Sequence, residues 1–158
     1  MKIHDFKEDN EIGRRGELIF GKCLEKWKCN FKDVTEDPEY QEQDIDFIVE
    51  SKKTKGKMVT VEVKNDQRIA ETGNIFFETM SNVDYSTVGC FKKTKAELMA
   101  IVSESESLIY FVGTEILRKF VEENSSSLRF ISRVPGSNSC GYLIPVTRIK
   151  KDVIEVKY

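Results

Sequence analysis

The sequence predicts one α/β domain, bordering on α+β, over residues 1–158. Three observations support this prediction. The patterns run in the order helix, several strands, second helix and further short strands, which is typical of mixed architectures. A chain of 158 residues is long enough to bury one hydrophobic core. No internal repeat or proline-rich linker divides it, and it contains only three prolines.

The composition indicates a well-solvated globular protein, with 39% hydrophobic and 33% charged residues. The net charge of −2 provides no global attraction to nucleic acid, so any such binding must use local basic patches. No stretch approaches the roughly 20 apolar residues that a membrane span needs. The first residues are polar and acidic, unlike a signal peptide. We therefore expect a cytoplasmic protein with no membrane partner.

The rarest side chains restrict the chemistry that is available. Four cysteines, Cys23, Cys29, Cys90 and Cys140, form no Cys-x-x-Cys pair, and we expect reduced thiols rather than a zinc site. His4 is the only histidine and lies near the terminus, where it is a poor general base. Histidine-dependent triads and histidine-rich metal sites are thereby excluded. An enzyme of this sequence would depend on carboxylates, lysines or tyrosines.

Residues 10–28 predict the first helix, with Asn10 as its N-cap. Apolar and small side chains repeat at helical spacing on one face of it. They are Ile12, Gly16, Ile19, Phe20, Cys23, Leu24 and Trp27. Gly13 also falls on this stripe, and two glycines on a buried helix face predict a close approach of another backbone. Glu17 lies at the edge of the stripe, where its carboxylate can reach past the packed surface.

A β-hairpin is predicted after a polar loop over residues 32–43. Its strands are residues 44–50 and 58–66, and the turn at 51–57 contains Gly56. Further elements follow the hairpin. They are a strand at 74–80, a helical turn opened by a capping box from Thr94 to Glu97, strands at 98–103 and 107–113, a helix capped by Thr114 and ending near Asn124, and short strands in the tail.

The predicted hairpin brings charged side chains together at one end of the sheet. Glu62 and Lys64 alternate with buried valines and so share the polar face of the second strand. Asp44 and Asp46 begin the first strand, which antiparallel pairing places opposite the end of the second strand, so Asp46 is expected close to Glu62 and Lys64. Glu17 can reach the same place from the helix. Three converging carboxylates repel one another unless a divalent cation neutralises them, and oxygen ligands favour Mg²⁺, with Mn²⁺ as a substitute.

A second Glu-Val-Lys triplet, residues 155–157, serves as an internal comparison. No aspartate-led hairpin strand precedes this second triplet. We therefore predict an ordinary edge strand there. The first triplet, residues 62–64, differs because the aspartate, the hairpin and the helix-borne glutamate all precede it.

The arrangement resembles the PD-(D/E)xK nuclease superfamily, which has the restriction-endonuclease-like fold. The matching motifs are D-I-D-F-I-V followed by V-E-V-K, together with I-G-R-R-G-E, which is similar to the first helix of resolvase-like members. T-G-N-I-F-F-E resembles the third core strand of compact phage and bacterial relatives. The resemblance covers residues 13–78. It implies a mixed central sheet flanked by helices and a Mg²⁺-dependent DNA endonuclease that hydrolyses phosphodiester bonds.

The resemblance also implies a role for each site residue. Asp46, Glu62 and Glu17 would hold the metal, and Lys64 would orient or help deprotonate the attacking water. The chain lacks the family's Pro-Asp dipeptide. Asp46 is preferred as the metal-binding aspartate because it directly precedes the apolar Phe-Ile-Val. Asp44 is kept as the alternative for the same role. A second reserve acid is Glu78, which can equally be an ordinary acid on a strand face.

Local basic residues are the candidates for contact with DNA. Lys53 and Lys55 lie in the basic hairpin turn, and Arg68 follows the second strand. Lys92 and Lys93 follow an aromatic residue at a predicted junction. Basic turns are also ordinary solvated features, so each residue keeps both interpretations.

Two further expectations concern class and assembly. The alternative function is a catalytically inactive restriction-endonuclease-like module that binds DNA or protein. The intact acids and lysine argue against it, because crowded carboxylates gain nothing without a metal. By analogy, a small domain that cuts both strands of a duplex needs two active sites, which favours a homodimer.

Overall fold

Residues 6–158, which the computed structural model describes, form ten strands in two sheets together with five α-helices. His4 lies outside the described residues. The helices are α1 (Phe6–Lys26), α2 (Pro38–Gln41), α3 (Ile69–Thr72), α4 (Cys90–Lys93) and α5 (Thr114–Asn124). The strands are β1 (Phe31–Asp33), β2 (Phe47–Glu50), β3 (Met58–Asn65), β4 (Asn74–Asn82), β5 (Thr87–Val88), β6 (Leu98–Ser103), β7 (Leu108–Gly113), β8 (Arg129–Ile131), β9 (Cys140–Pro145) and β10 (Ile154–Lys157).

The larger sheet is mixed, which confirms the predicted α/β class with a mixed central sheet flanked by helices. Its strand order is β1-β2-β3-β6-β7-β10, and β3 and β6 are its parallel pair. The other neighbours pair antiparallel, including the predicted hairpin of β2 and β3. A separate four-stranded sheet has the order β5-β4-β9-β8. The described helices include none that is both long and apolar enough to cross a membrane.

Helix α1 packs on one face of the central sheet through its predicted stripe. Phe20 and Leu24 lie in one buried cluster with Val61 and Val63 of β3. The close backbone approach is required at Gly16, where an added Cβ would lie 2.8 Å from Cβ of Asn65. The same prediction is wrong for Gly13, which has open space around it.

The opposite face of the central sheet packs against α5 and the smaller sheet. Met99 and Ile101 of β6 share a buried cluster with Leu117 of α5 and Phe77 of β4. The register places Glu62 beside Met99 and Lys64 beside Ile101. The polar face of β3 is therefore directed towards the second layer, where Glu62 and Lys64 are half-buried.

Several predicted boundaries are corrected. Asn10 is not an N-cap, because α1 already includes Phe6. The predicted loop at 32–43 contains the end of β1 and all of α2. Pro38 begins α2, since proline suits the first turn of a helix, and the Asp37 side chain caps it by accepting from the Glu39 N–H. Strand β2 begins at Phe47, three residues after the predicted start.

The predicted capping box at Thr94 is also wrong. Thr94 is the C-cap of α4 and not the start of a helix, and its hydroxyl donates to the backbone oxygen of Asp44 at 2.6 Å. Glu97 instead exchanges hydrogen bonds with Thr60 of β3. At the later helix, Thr114 is the first helical residue and Gly113 occupies the N-cap position.

Strand β4 forms as predicted but is not the third strand of the central sheet. The neighbour of β3 on that side is β6, which runs parallel to it. Parallel strands need a crossover, and here the chain leaves through α3, β4, β5 and α4 before it returns. Gly73, with φ of 66°, ends α3 in the left-handed region and directs the chain into the smaller sheet. The predicted strands over 98–113 and in the tail are confirmed.

Candidate active site

Asp46 is fixed at the mouth of the hairpin by the backbone of β3. Its N–H donates to the backbone oxygen of Val61 at 2.9 Å, and its Oδ2 accepts from the N–H of Val63 at 2.8 Å. These two bonds hold the carboxylate beside Glu62, the residue between the two valines. Burial raises the pKa of Asp46, and the hydrogen bond from Val63 opposes that change.

Glu62 carries an unsatisfied acceptor in the interior. Burial raises its pKa well above the usual value, and the charges of Asp46 and Asp44 add to the effect. The Asp46 and Glu62 side chains act on each other, and a proton or a cation between two such acids relieves their repulsion. Oε2 of Glu62 is buried and has no hydrogen-bond partner. A buried carboxylate oxygen without a donor is a position that a cation would stabilise.

Lys64 remains an ammonium group at neutral pH. Its pKa is raised by Cys90 first, then by Glu78 and Glu62, while burial acts in the opposite direction. Because burial raises the pKa of Cys90 to about 11, that thiol is uncharged near pH 7. The thiol therefore does not balance the charge of Lys64 under those conditions, and Glu78 and Glu62 are the other acidic groups that act on it. A lysine held in its charged form stabilises negative charge and is a poor proton acceptor.

Glu17 approaches Asp46 from the α1 side of the sheet. Its side chain is half-buried, and burial raises its pKa to about 7, with the charges of Asp46 and Asp33 adding to the effect. Glu62 and Lys64 occupy the opposite face. Asp46, which directly precedes the start of β2, thus lies between the helix-borne acid and the acid on β3.

The described residues contain no group of three or more His, Cys, Asp or Glu side chains that could hold a metal ion. Glu17 acts on Asp46 from the other side of the sheet, and its role as a third metal ligand stays a prediction. Mg²⁺ is commonly held by one or two protein carboxylates, with water and substrate phosphate completing its shell. The pair and its unpartnered oxygen fit that mode of binding.

The two reserve acids have other partners. Asp44 lies in a turn with φ of 49°, and its Oδ1 accepts from Nζ of Lys93 at 2.9 Å. It therefore does not share an extended strand face with Asp46, although its charge acts on the pair. Glu78 belongs to β4 in the smaller sheet and acts on Lys64 from across the interface between the layers.

The predicted DNA-binding residues divide into two groups. Lys53 and Lys55 are exposed in the β2–β3 turn, at the opposite end of the hairpin from the Asp46 carboxylate. At about 3.3 Å per residue, the turn lies roughly 20 Å from Glu62. Arg68, Lys92 and Lys93 come from segments next to the site, and Lys93 is the partner of Asp44.

Sequence reasoning missed Cys90 as a neighbour of the site. The thiol interacts with Lys64, and its surroundings include Glu78 and Glu62. It stands at the first position of α4, 26 residues after Lys64, and reaches the site only because the crossover folds back over β3. No local pattern in the sequence signals that return.

No protein-family model and no curated protein sequence matches this chain. Among solved structures, the chain is similar to the bacterial homing endonuclease I-Ssp6803I. The two share 13% sequence identity with a TM-score of 0.47. The similarity covers 71% of this chain and 67% of the endonuclease chain.

Proposed function

We propose that this protein is a metal-dependent DNA endonuclease with a restriction-endonuclease-like core of the PD-(D/E)xK type. The observation that carries the proposal is the Asp46–Glu62 carboxylate pair with one buried, unpartnered oxygen next to the ammonium of Lys64. A buried acid pair is costly to maintain, and a divalent cation is the ligand that removes the cost.

Asp46 and Glu62 are the residues that would hold Mg²⁺ or Mn²⁺. When bound, the cation supplies Lewis-acid activation of water and charge stabilisation at the phosphoryl group. The protein's own contribution is preorganisation. The Val63 N–H orients Asp46, and the β3 backbone fixes Glu62 relative to it.

Lys64 provides a fixed positive charge for the reacting phosphate. Its raised pKa keeps the ammonium charged throughout the neutral range, so it stabilises the negative charge that develops on phosphate oxygens. Of the two roles that the resemblance implies for Lys64, orienting the attacking water fits a permanently charged ammonium better than deprotonating that water. Glu17, with a pKa of about 7, can hold or release a proton beside Asp46 and extends the site on the α1 side.

DNA is the proposed substrate because exposed cations lie near Lys64: Arg68 lines the same cavity, and Lys92 is two residues after Cys90, the neighbour of Lys64. Arg68 and Lys92 are exposed and lie on segments that flank the site. Their charges are local, in agreement with a net charge of only −2. A homodimer remains our prediction for cutting both strands of a duplex.

The test is cleavage of labelled linear, nicked, flap, four-way-junction and single-stranded DNAs with Mg²⁺, Mn²⁺ or EDTA. Asp46→Asn removes the charge of the proposed ligand, and Asp44→Asn is its matched control two residues away. We expect metal-dependent cleavage that Asp46→Asn abolishes and Asp44→Asn retains. Loss of activity in Asp44→Asn, with activity retained in Asp46→Asn, would assign the metal-binding role to Asp44 instead of Asp46.

The second candidate is an inactive DNA-binding or protein-interaction module of the same fold. The absence of a three-ligand group within residues 6–158 is the observation that favours it. Folded wild-type protein that binds DNA but cuts none of the five substrates with either metal would support this candidate over the nuclease.

A further inference from the structure

A cavity of about 590 Å³ opens beside Lys64, between the end of β3 and the smaller sheet. Lys64 and the segment up to Arg68 form one wall, and the opposite wall is the face of the smaller sheet that carries Phe76. The volume falls within the range of about 300–1,000 Å³ that is usual for pockets enclosing a small organic molecule.

The sheet wall presents an ordered row of three side chains. The register pairs Phe76 of β4 with Leu143 of β9, and Leu143 with Arg129 of β8. Cross-strand partners share one face of a sheet, so an aromatic ring, an aliphatic chain and a guanidinium group lie side by side. All three line the cavity, and Ile131 extends the apolar surface. This row combines a flat stacking surface with a phosphate-binding group at its end.

The charges of the lining fit a phosphate at the opening. Arg68 and Arg129 are exposed and lie at the mouth of the cavity, while Lys64 is more buried. Two acids also line it. Asp66 is already engaged as an acceptor from the N–H groups of Arg68 and Ile69. Glu78 acts on Lys64. Arg68 forms a 3.9 Å surface ion pair with the exposed Glu71, and both arginines keep their contact with solvent.

We propose that this cavity receives one unpaired nucleotide of DNA, adjacent to the scissile phosphodiester bond. The inference rests on the proposed function, because Lys64 belongs to both the cavity and the proposed site. The base would stack on Phe76, and Arg129 and Arg68 would bind the flanking phosphates. A paired nucleotide must first leave the duplex stack, whereas an unpaired one does not. The preferred substrate is therefore DNA with a bulged, flapped or single-stranded nucleotide at the cut.

Binding in EDTA tests the cavity independently of catalysis. Two labelled duplexes of the same sequence, one fully paired and one with a single-nucleotide bulge, are titrated with the protein and followed by fluorescence anisotropy. We expect the bulged duplex to bind about tenfold more tightly. Phe76→Ala should reduce that preference to less than about threefold. Phe130→Ala is the matched control, because Phe130 is an exposed aromatic residue on the other face of the same sheet.

A second variant guards against misfolding of Phe76→Ala. Arg129→Ala changes an exposed side chain and should also weaken binding of the bulged duplex, whereas Lys119→Ala, exposed on α5, should not. Equal affinity for the two duplexes, or a preference that survives both Phe76→Ala and Arg129→Ala, overturns the inference. Cleavage with Mg²⁺ separates the two proposals. Metal-dependent cutting without a bulge preference overturns only the cavity, and a bulge preference without cutting overturns only the nuclease.

Discussion

The two Glu-Val-Lys triplets of this chain have the same sequence and opposite environments. The first triplet lies in β3, which has β2 on one side and β6 on the other. The second lies in β10, an edge strand of the same sheet that pairs with β7. In the second triplet the glutamate and lysine are exposed, whereas in the first an oxygen of the glutamate is buried and unpartnered.

The contrast shows that position in the sheet, not the triplet itself, creates the site. An interior strand brings Asp46, the residue before β2, next to Glu62, and the layer above brings Glu78 and Cys90 next to Lys64. At the edge, Glu155 and Lys157 lie beside Tyr110 and Leu108 and keep their contact with water. The chemistry of the first triplet therefore depends on a low-dielectric environment that the second does not have.

The largest expected difference between the triplets is in catalysis. Lys64→Met keeps most of the side-chain volume but removes the ammonium, and we expect at least about a 100-fold loss in the cleavage rate. Lys157→Met removes the same charge from the exposed triplet and should change the rate by less than about twofold. Single-turnover rates with saturating Mg²⁺ measure both. Comparable rates for the two variants would place the catalytic charge elsewhere.

The packing of α1 against β3 should produce the next largest effect. Gly16→Ala places a Cβ 2.8 Å from Cβ of Asn65, and we expect it to lower the free energy of unfolding by about 1–3 kcal/mol. Gly13→Ala, one turn earlier in open space, should raise it by about 0.5–1 kcal/mol because alanine favours the helix. Denaturant titration of both variants distinguishes close approach from helix propensity. Equal signs for the two variants would contradict the described contact.

The acid pair should cost the metal-free protein stability. The raised pKa of Glu62 means that the folded state holds its proton longer, so stability falls as the pH rises above the unfolded pKa of about 4.3. Glu62→Gln removes this cost, and we expect a gain of about 1–2 kcal/mol at pH 8 in EDTA and almost none at pH 4.

Glu155→Gln is the matched control for that stability measurement, since its carboxylate is exposed. It should change the free energy of unfolding by less than about 0.5 kcal/mol at either pH. A destabilised Glu62→Gln at pH 8 would mean that the carboxylate is already satisfied in the folded protein.

The smallest expected effect concerns the polar network that anchors the end of β3. Glu104 accepts hydrogen bonds from Asn65, Gln67 and Arg15, and these bonds lower its pKa, with Asn65 contributing most. Because the folded pKa of Glu104 is lowered, its ionised carboxylate stabilises the fold at pH values above the unfolded pKa of about 4.3. That stabilisation is lost as the pH falls through the folded pKa. Glu104→Gln should therefore cost less than about 1 kcal/mol at pH 7 and nothing at pH 3.

Unfolding at the two pH values, with Glu122→Gln on the exposed side of α5 as control, measures the contribution of Glu104. A cost that persists unchanged at pH 3 would show that packing, and not the ionised carboxylate, is responsible.

Local patterns were sufficient to predict the central parts of this fold. The apolar stripe of α1, the hairpin of β2 and β3 and the strands β6 and β7 all follow from periodicity and turn residues. The hairpin alone predicts that Asp46 meets Glu62, because antiparallel pairing joins the start of one strand to the end of the next. The exposed edge position of the second triplet was also predicted.

The features that the sequence did not predict depend on contacts between segments that are distant in the chain. Strand β4 looks like the next strand of the central sheet, but the parallel pairing of β3 with β6 sends it into a second layer. The Thr94 hydroxyl satisfies the Asp44 backbone instead of capping a helix. Cys90 and the cavity beside Lys64 exist only because the crossover returns over β3. No window of local sequence contains this information.

Binding of Mn²⁺ tests the central claim, that the first triplet and Asp46 form a cation site, most directly. The free-ion signal in electron paramagnetic resonance is followed as wild-type protein, Glu62→Gln and Glu155→Gln are titrated. We expect one Mn²⁺ site in the wild type, the same affinity in Glu155→Gln and at least about a tenfold loss of affinity in Glu62→Gln. Mn²⁺ binding that is absent from the wild type, or equal in Glu62→Gln and the wild type, would contradict that claim.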